Sequence, residues 1–238
     1  MFIEDMHYDF KKKFNKIDSN QNKNLLIPEI DWALNEAQKI FIDIVAEPRG
    51  KSFLGFERTQ KNIDDIKTLV VNDQSLKPSE ENTENSIFNL PNEYLYFIRG
   101  QAIISKNICK SQKARIYIQQ HDDEFELSPF DKSSFEWREV NALFTNKGLK
   151  LYTDGTFKID SILLSYIRQP LYMHNAKDFR GGQYNLPSGK VLKGKQDCEL
   201  SEQCCREIVD IAVAISSSEI QTNDYQIKYS KLGFNNLK

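Results

Sequence analysis

The apolar residues of this 238-residue chain change their spacing near Leu90, and that change limits the folds open to it. Upstream they recur every three or four residues, the spacing of one face of a helix. Downstream they alternate or run in short blocks, as they do in strands. The pattern predicts an α+β protein in which an N-terminal helical module precedes a central antiparallel β-rich module, followed by a C-terminal helix and an extended arm.

In the first helix Phe2, Met6, Phe10 and Phe14 recur every four residues, Ile3 and Ile17 extend the stripe, and Lys11, Lys12 and Lys13 mostly face water. Polar residues 18–24 end it. A second helix starts near Pro28, a residue suited to a first turn because its missing N–H has no partner there. Its apolar set is Ile30, Ala33, Leu34, Ala37, Phe41, Ile44 and Val45, and Pro48 and Gly50 stop it. A third helix is expected over 56–70, presenting Phe56, Ile63, Ile66 and Val70. The helical module therefore spans 1–71.

Residues 72–89, with Lys77-Pro78-Ser79-Glu80-Glu81-Asn82 and little that is apolar, read as a flexible linker. The β-rich module spans 90–195, with candidate strands at 94–105, 114–119, 135–144, 149–153 and 157–168. Asp154-Gly155 signals a hairpin between the last two, because glycine accepts the positive φ of a tight turn. Ile162-Leu163-Leu164 suggests burial on both faces, and 179–194, rich in Gly, Asn, Pro and Ser, reads as a surface loop. The C-terminal helix falls in 196–217, with Ser201 as N-cap, Glu202 suited to the helix dipole, and Cys204, Ile208, Ile211, Ala212 and Ile215 on one face. In 218–238, Tyr225, Ile227 and Tyr229 alternate with polar residues as an extended arm.

Composition narrows the function classes. Thirty-two basic and 34 acidic residues leave a net charge of −2, which argues against a surface devoted to nucleic acid. Cys109, Cys198, Cys204 and Cys205 form neither a CxxC pair nor a disulfide framework, so reduced thiols are expected. Residues 1–18 are charged throughout, with no apolar core for a signal peptide, and no apolar run approaches a membrane span. A protein made and kept in cytoplasm is the expectation.

Candidate chemistry is sparse. His121-Asp122-Asp123, with Glu124 and Glu126 nearby, is the best metal-like cluster, but a catalytic metal would need further carboxylates at defined places, and the stretch reads rather as a polar turn and short helix start. The histidines are His7, His121 and His174, and no serine sits in a GxSxG elbow. Gly181-Gly182 lacks the GxxxxGK[ST] spacing of a phosphate loop. Lys190, Lys193 and Lys195 give that stretch positive charge. No catalytic, cofactor-binding or metal residue is assigned, and no cofactor is expected. Fifteen Phe and ten Tyr, by contrast, supply a large stock of interface-forming surface.

Several blocks, taken in order, resemble virion structural proteins of crAss-like phages. They are the run from Glu29 to Gln38, Phe56-Glu57-Arg58-Thr59-Gln60-Lys61, Asp64 to Val70, Leu90 to Tyr96, Gln120-His121-Asp122-Asp123 with Ser128-Pro129-Phe130, Ser165 to Pro170, Gln196 to Glu202, and Glu207 to Val213. They span about Pro28 to Val213; 180–195 and the tail after Ser216 lie outside the resemblance. It implies a structural, non-enzymatic ring protein of the head-to-tail connector, a homo-dodecamer following the portal's twelve-fold symmetry. Such an adaptor binds the portal on one side and the adjacent tail ring or hub on the other. It surrounds the DNA channel with at most non-specific DNA contact and engages no membrane. It is assembled in the host bacterial cytoplasm and resides in the virion. The alternatives are another tail or minor capsid component, a metal-dependent phage enzyme using His121, Asp122 and Asp123, and a DNA-binding module using the lysine-rich loop.

Overall fold

A computed structural model describes residues 1–14, 25–46, 64–106, 109–119 and 132–219. The elements are α1 (Ile3–Phe14), α2 (Ile27–Ala46), β1 (Val70–Leu76), β2 (Glu80–Glu81), β3 (Asn85–Phe88), β4 (Tyr94–Lys106), β5 (Cys109–Gln119), β6 (Glu139–Thr145), β7 (Gly148–Tyr152), β8 (Lys158–Arg168), β9 (Gln183–Asn185), β10 (Val191–Lys193) and α3 (Glu202–Glu219). The α+β class holds. The chain divides into two compact units, one of Leu69–Gln169 and the other of Met1–Thr68 with Pro170–Lys238.

In the helical unit, α3 packs on both α1 and α2. Ile3, Met6, Phe10 and Phe14 of α1 are buried, with the Phe10 and Phe14 rings stacked at 5.6 Å. Phe2 is not part of that face; it is 62% exposed, with the Lys195 ammonium 5.2 Å over its ring. The start of α2 is fixed by Glu29, whose carboxylate accepts from the Leu26 N–H at 2.7 Å, one half of a capping box. Its apolar face is as expected through Phe41, but Ile42 is buried where Ile44 is exposed. Ser201 caps α3, its hydroxyl accepting from the Cys204 N–H at 3.4 Å. Of the expected third helix, 56–63 lie outside the described residues, 64–69 are helical with Lys67–Leu69 tightened into a 3-10 turn, and Val70 already belongs to β1.

The other unit is one eight-stranded sheet in the order β1-β8-β4-β5-β6-β7-β3-β2. Its two edge strands, β1 and β2, are joined by residues 77–79 alone. Such a connection spans at most about 14 Å, whereas the edges of a flat eight-stranded sheet lie about 34 Å apart. The sheet must therefore roll up until its edges approach, as in a small barrel. The rolled interior holds Phe88, Ala102, Ile104, Ala114, Ile116, Val140, Ala142, Leu149, Leu151, Ile159 and Ile162, plugged by Phe135 and Phe157.

Four expectations need correction. The linker assigned to 72–89 is part of the barrel: it carries most of β1 and all of β2 and β3. Edge pairing draws on backbone N–H and C=O groups, so polar side chains at Asn72 to Ser75 do not prevent it, and Ile87 and Phe88 supply the buried anchor. The antiparallel module is a mixed sheet, because β5 and β6 run parallel. Asp154-Gly155 is a turn, with the Asp154 carboxylate accepting from the Thr156 N–H at 2.8 Å. The strands on either side of it do not pair; β7 joins β6 and β3, and β8 joins β1 and β4. Strand β7 instead forms a hairpin with β6, through Thr145 and Gly148.

The fourth correction concerns the β-rich boundary at 195. The barrel ends at Gln169, and 170–195 belongs with the helices. The expected surface loop at 179–194 is a hairpin of β9 and β10 closing over Ala176, Tyr184 and Leu192. Residues 196–200 are not helical; α3 starts at Glu202 and runs to Glu219. The remainder of the expected arm, 220–238, lies outside the described residues.

Candidate interaction site

Among the described residues, the most exposed large apolar side chain of the barrel unit is Trp137, at 80%. Two reciprocal backbone hydrogen bonds between Ser134 and Glu139, at 2.9 and 3.2 Å, close the loop that carries it. Within the loop, Phe135 points into the barrel and packs on Phe157 at 6.2 Å. The Ser134 hydroxyl accepts from the Trp137 N–H at 3.3 Å. Arg138 then takes a left-handed backbone conformation, φ 58°, and its carbonyl accepts from the Arg115 N–H at 2.8 Å. A non-glycine residue held there costs about 1–2 kcal/mol. Phe135 is thus anchored and Trp137 presented, on a loop held under backbone strain.

Tyr117 on β5, 41% exposed, hydrogen-bonds Glu139 at 3.4 Å, beside this loop. Tryptophan buries 150–250 Å² when covered. At about 25 cal/mol per Å², covering Trp137 is worth on the order of 4 kcal/mol before the costs of association. On the helical unit, Tyr8 (70%), Phe2 (62%) and Trp32 (46%) are likewise left at the surface.

A second cluster is buried in the helical unit and has a different character. Asp31, Asn35 and Gln38 fall on one face of α2, at spacings of four and three, and all three are buried. Asp31 is fully buried and accepts from the His7 imidazole at 2.7 Å, the Asn175 N–H at 3.2 and 3.1 Å, and the Tyr184 hydroxyl at 2.7 Å. A carboxylate has only acceptors, so the His7 tautomer carries its proton on Nε2. Asn35 forms a two-point clasp with the Met173 backbone, donating to the carbonyl at 2.7 Å and accepting from the N–H at 2.9 Å. Gln38 reaches Cys198 Sγ at 3.9 Å. The polar face of α2 therefore reads the backbone of 173–175 much as a neighbouring strand would.

Around this node the Tyr172 hydroxyl, His174 Nδ1 and Asn175 Oδ1 are buried and make no hydrogen bond of ordinary geometry among the described residues, although the Tyr172 and Tyr184 hydroxyls lie close enough to influence each other. Burial pushes the Tyr184 and Tyr172 hydroxyls up, and the Asp31 charge adds to both shifts. Burial holds His174 below the ordinary histidine value, against the pull of Asp31 and with help from Lys190. A general base must reach the proton it removes. Both oxygens of Asp31 are taken up by internal donors and His7 is only 4% exposed, so these two groups fasten segments of the helical unit together.

The expected candidates distribute as follows. His121, Asp122, Asp123, Glu124 and Glu126 lie outside the described residues. Among the described residues, no three of His, Cys, Asp and Glu converge to hold a metal, and no helix is long and apolar enough to cross a membrane. Lys190 and Lys193 are exposed, while Lys195 pairs with Glu4 at 3.0 Å. Gly181 and Gly182 form a turn with φ of 77° and 69°. His7 and His174, unassigned from sequence, both join the Asp31 node. An Asp, an Asn and a Gln at helical spacing inside an apolar stripe were the available signal for it. No protein-family model matches the chain, and no curated protein sequence matches it.

Proposed function

We propose that this chain is a structural, non-enzymatic subunit of a tailed-phage particle, a ring protein of the head-to-tail connector that joins the portal to the tail around the DNA channel. Its partners are further copies of itself, the portal protein and the next tail ring or hub. The observation that carries the reading is the presentation of Trp137 on its braced loop beside Tyr117. An exposed tryptophan fixed by a strained backbone is what a protein-binding surface needs, since aromatic anchors dominate interface energetics. The ordered blocks that resemble crAss-like phage virion proteins supply the particle. Two units with separate exposed aromatics suit a ring subunit, whose head-to-tail contacts use two different surfaces.

The reading is tested by Trp137→Ala in an assembly assay with purified portal. The expected variant is as stable as the parent, within about 0.5 kcal/mol, and its loading onto portal falls at least about tenfold, the loss of one good anchor. Unchanged loading removes Trp137 from the interface.

A further inference from the structure

Strand β9 of the helical unit has one edge bonded to β10 and one edge open. The Leu186 N–H donates to the Lys190 carbonyl at 2.9 Å, and the Gly194 N–H to the Gly182 carbonyl at 3.5 Å. Hydrogen-bonded pairs alternate along an antiparallel ladder, so within β9 it is Tyr184 that bonds across to Leu192. Gln183 and Asn185 therefore turn their N–H and C=O groups to the other side, where no described residue meets them. Beside them lies a groove lined by Pro28, Phe179, Arg180, Gln183, Tyr184 and Asn185, and by no described residue of β10. The groove thus runs along the open edge. Its floor is preformed: Phe179 meets Tyr184 edge to face at 5.8 Å, and the Tyr184 hydroxyl is tied to Asp31 at 2.7 Å.

Charge narrows what fits there. Residues 170–195 carry five basic side chains against one acid, Asp178, whose carboxylate already accepts from the Asn175 amide at 2.8 Å. Arg180 at the groove is exposed, as are Lys190 and Lys193 of the hairpin, and none of the three has an ion-pair partner among the described residues. We propose that the open edge of β9 binds an acidic, extended segment of a partner protein by strand addition. The two N–H and two C=O groups of Gln183 and Asn185 continue the ladder into the bound segment. Alternate side chains of that segment lodge against Pro28, Phe179 and Tyr184, and its carboxylates meet Arg180. A nucleic-acid strand would match the charge but not the ladder, since it carries no alternating amide N–H and C=O groups. A three-residue edge binds weakly, with a dissociation constant on the order of 100 μM. Neither the ring reading nor Trp137 enters the support for this surface.

The test uses the full chain and four short capped peptides in which glutamate alternates with valine, leucine, phenylalanine or tyrosine, with amide exchange followed by NMR. At saturation at least one peptide slows exchange of the Gln183 and Asn185 amides about tenfold, while the Tyr184 amide, bonded to Leu192 throughout, is unchanged. N-methylation of one alternate set of peptide amides, the set facing β9, weakens binding about fivefold for each N–H lost. Methylation of the other set leaves binding intact. Arg180→Glu lowers affinity about tenfold and shifts preference to peptides with lysine in place of glutamate. The methylated peptides act on the parent chain and depend on no variant. The proposal is overturned if no peptide binds at about 1 mM, if the two methylated sets behave alike, or if single-stranded DNA of equal charge binds as tightly.

Discussion

Replacing Asp31 with alanine should be among the most damaging single changes in the helical unit. The substitution leaves three buried donors facing no acceptor: His7 Nε2, the Asn175 N–H and the Tyr184 hydroxyl. A buried donor left unmatched costs about 1–3 kcal/mol, and breaking a buried charge-assisted pair about 3–5 kcal/mol. These costs overlap because the groups share one carboxylate, so the expected loss is about 4 kcal/mol rather than their sum. For a chain of this size that lowers the melting temperature by about 10 °C or more. Asp31→Asn keeps one acceptor oxygen and lets the Tyr184 hydroxyl rotate to accept, so its loss should be about half as large. Urea unfolding followed by circular dichroism at 222 nm (the helical signal) measures both. A loss below about 1 kcal/mol for the alanine variant would refute the reading of Asp31 as the centre of the node. A His7→Ala, Asp31→Ala double-mutant cycle should give a coupling of about 1.5–3 kcal/mol.

Because burial holds His174 below the ordinary value of 6.5, the unfolded chain binds its proton first as pH falls. The contribution is therefore absent above about pH 6.5 and turns destabilising below it, and His174→Gln should flatten the stability profile between pH 7 and 5.5. An unchanged slope would assign that dependence to other groups. In the β6–β7 hairpin, Gly148 has φ 130°, and a Cβ there would sit 2.3 Å from the Phe88 carbonyl oxygen. Gly148→Ala combines that overlap with a forbidden backbone region, and denaturant unfolding should show a loss of more than about 2 kcal/mol.

What was legible in the sequence was what period and caps encode. The buried stripe of α1, the start of α2 at its first turn, the Ser201 cap and the long strands β4 and β8 all follow from local spacing. What was not legible depends on partners distant in sequence. Strand β1 is polar over Asn72 to Ser75 because it lies at a sheet edge, so its residues carry no period-2 signal. The parallel pairing of β5 with β6 joins strands that no turn motif in the sequence pairs. The node at Asp31 draws on α1, α2 and the 172–184 segment, and only the fold brings these together. Trp137 looked like any other aromatic; its exposure depends on Phe135 taking the interior place two residues earlier.

The barrel and the helical unit each leave aromatic surface without cover, and the proposed ring gives that surface an occupant. The most direct measurement is the mass of the purified protein by native mass spectrometry, alone and after mixing with the portal protein. One copy of the chain weighs 27.7 kDa. The account predicts that portal-bound protein is recovered as a closed ring with the portal's copy number, and that Trp137→Ala lowers its yield. Protein that remains monomeric beside the portal, with no complex formed, would contradict it.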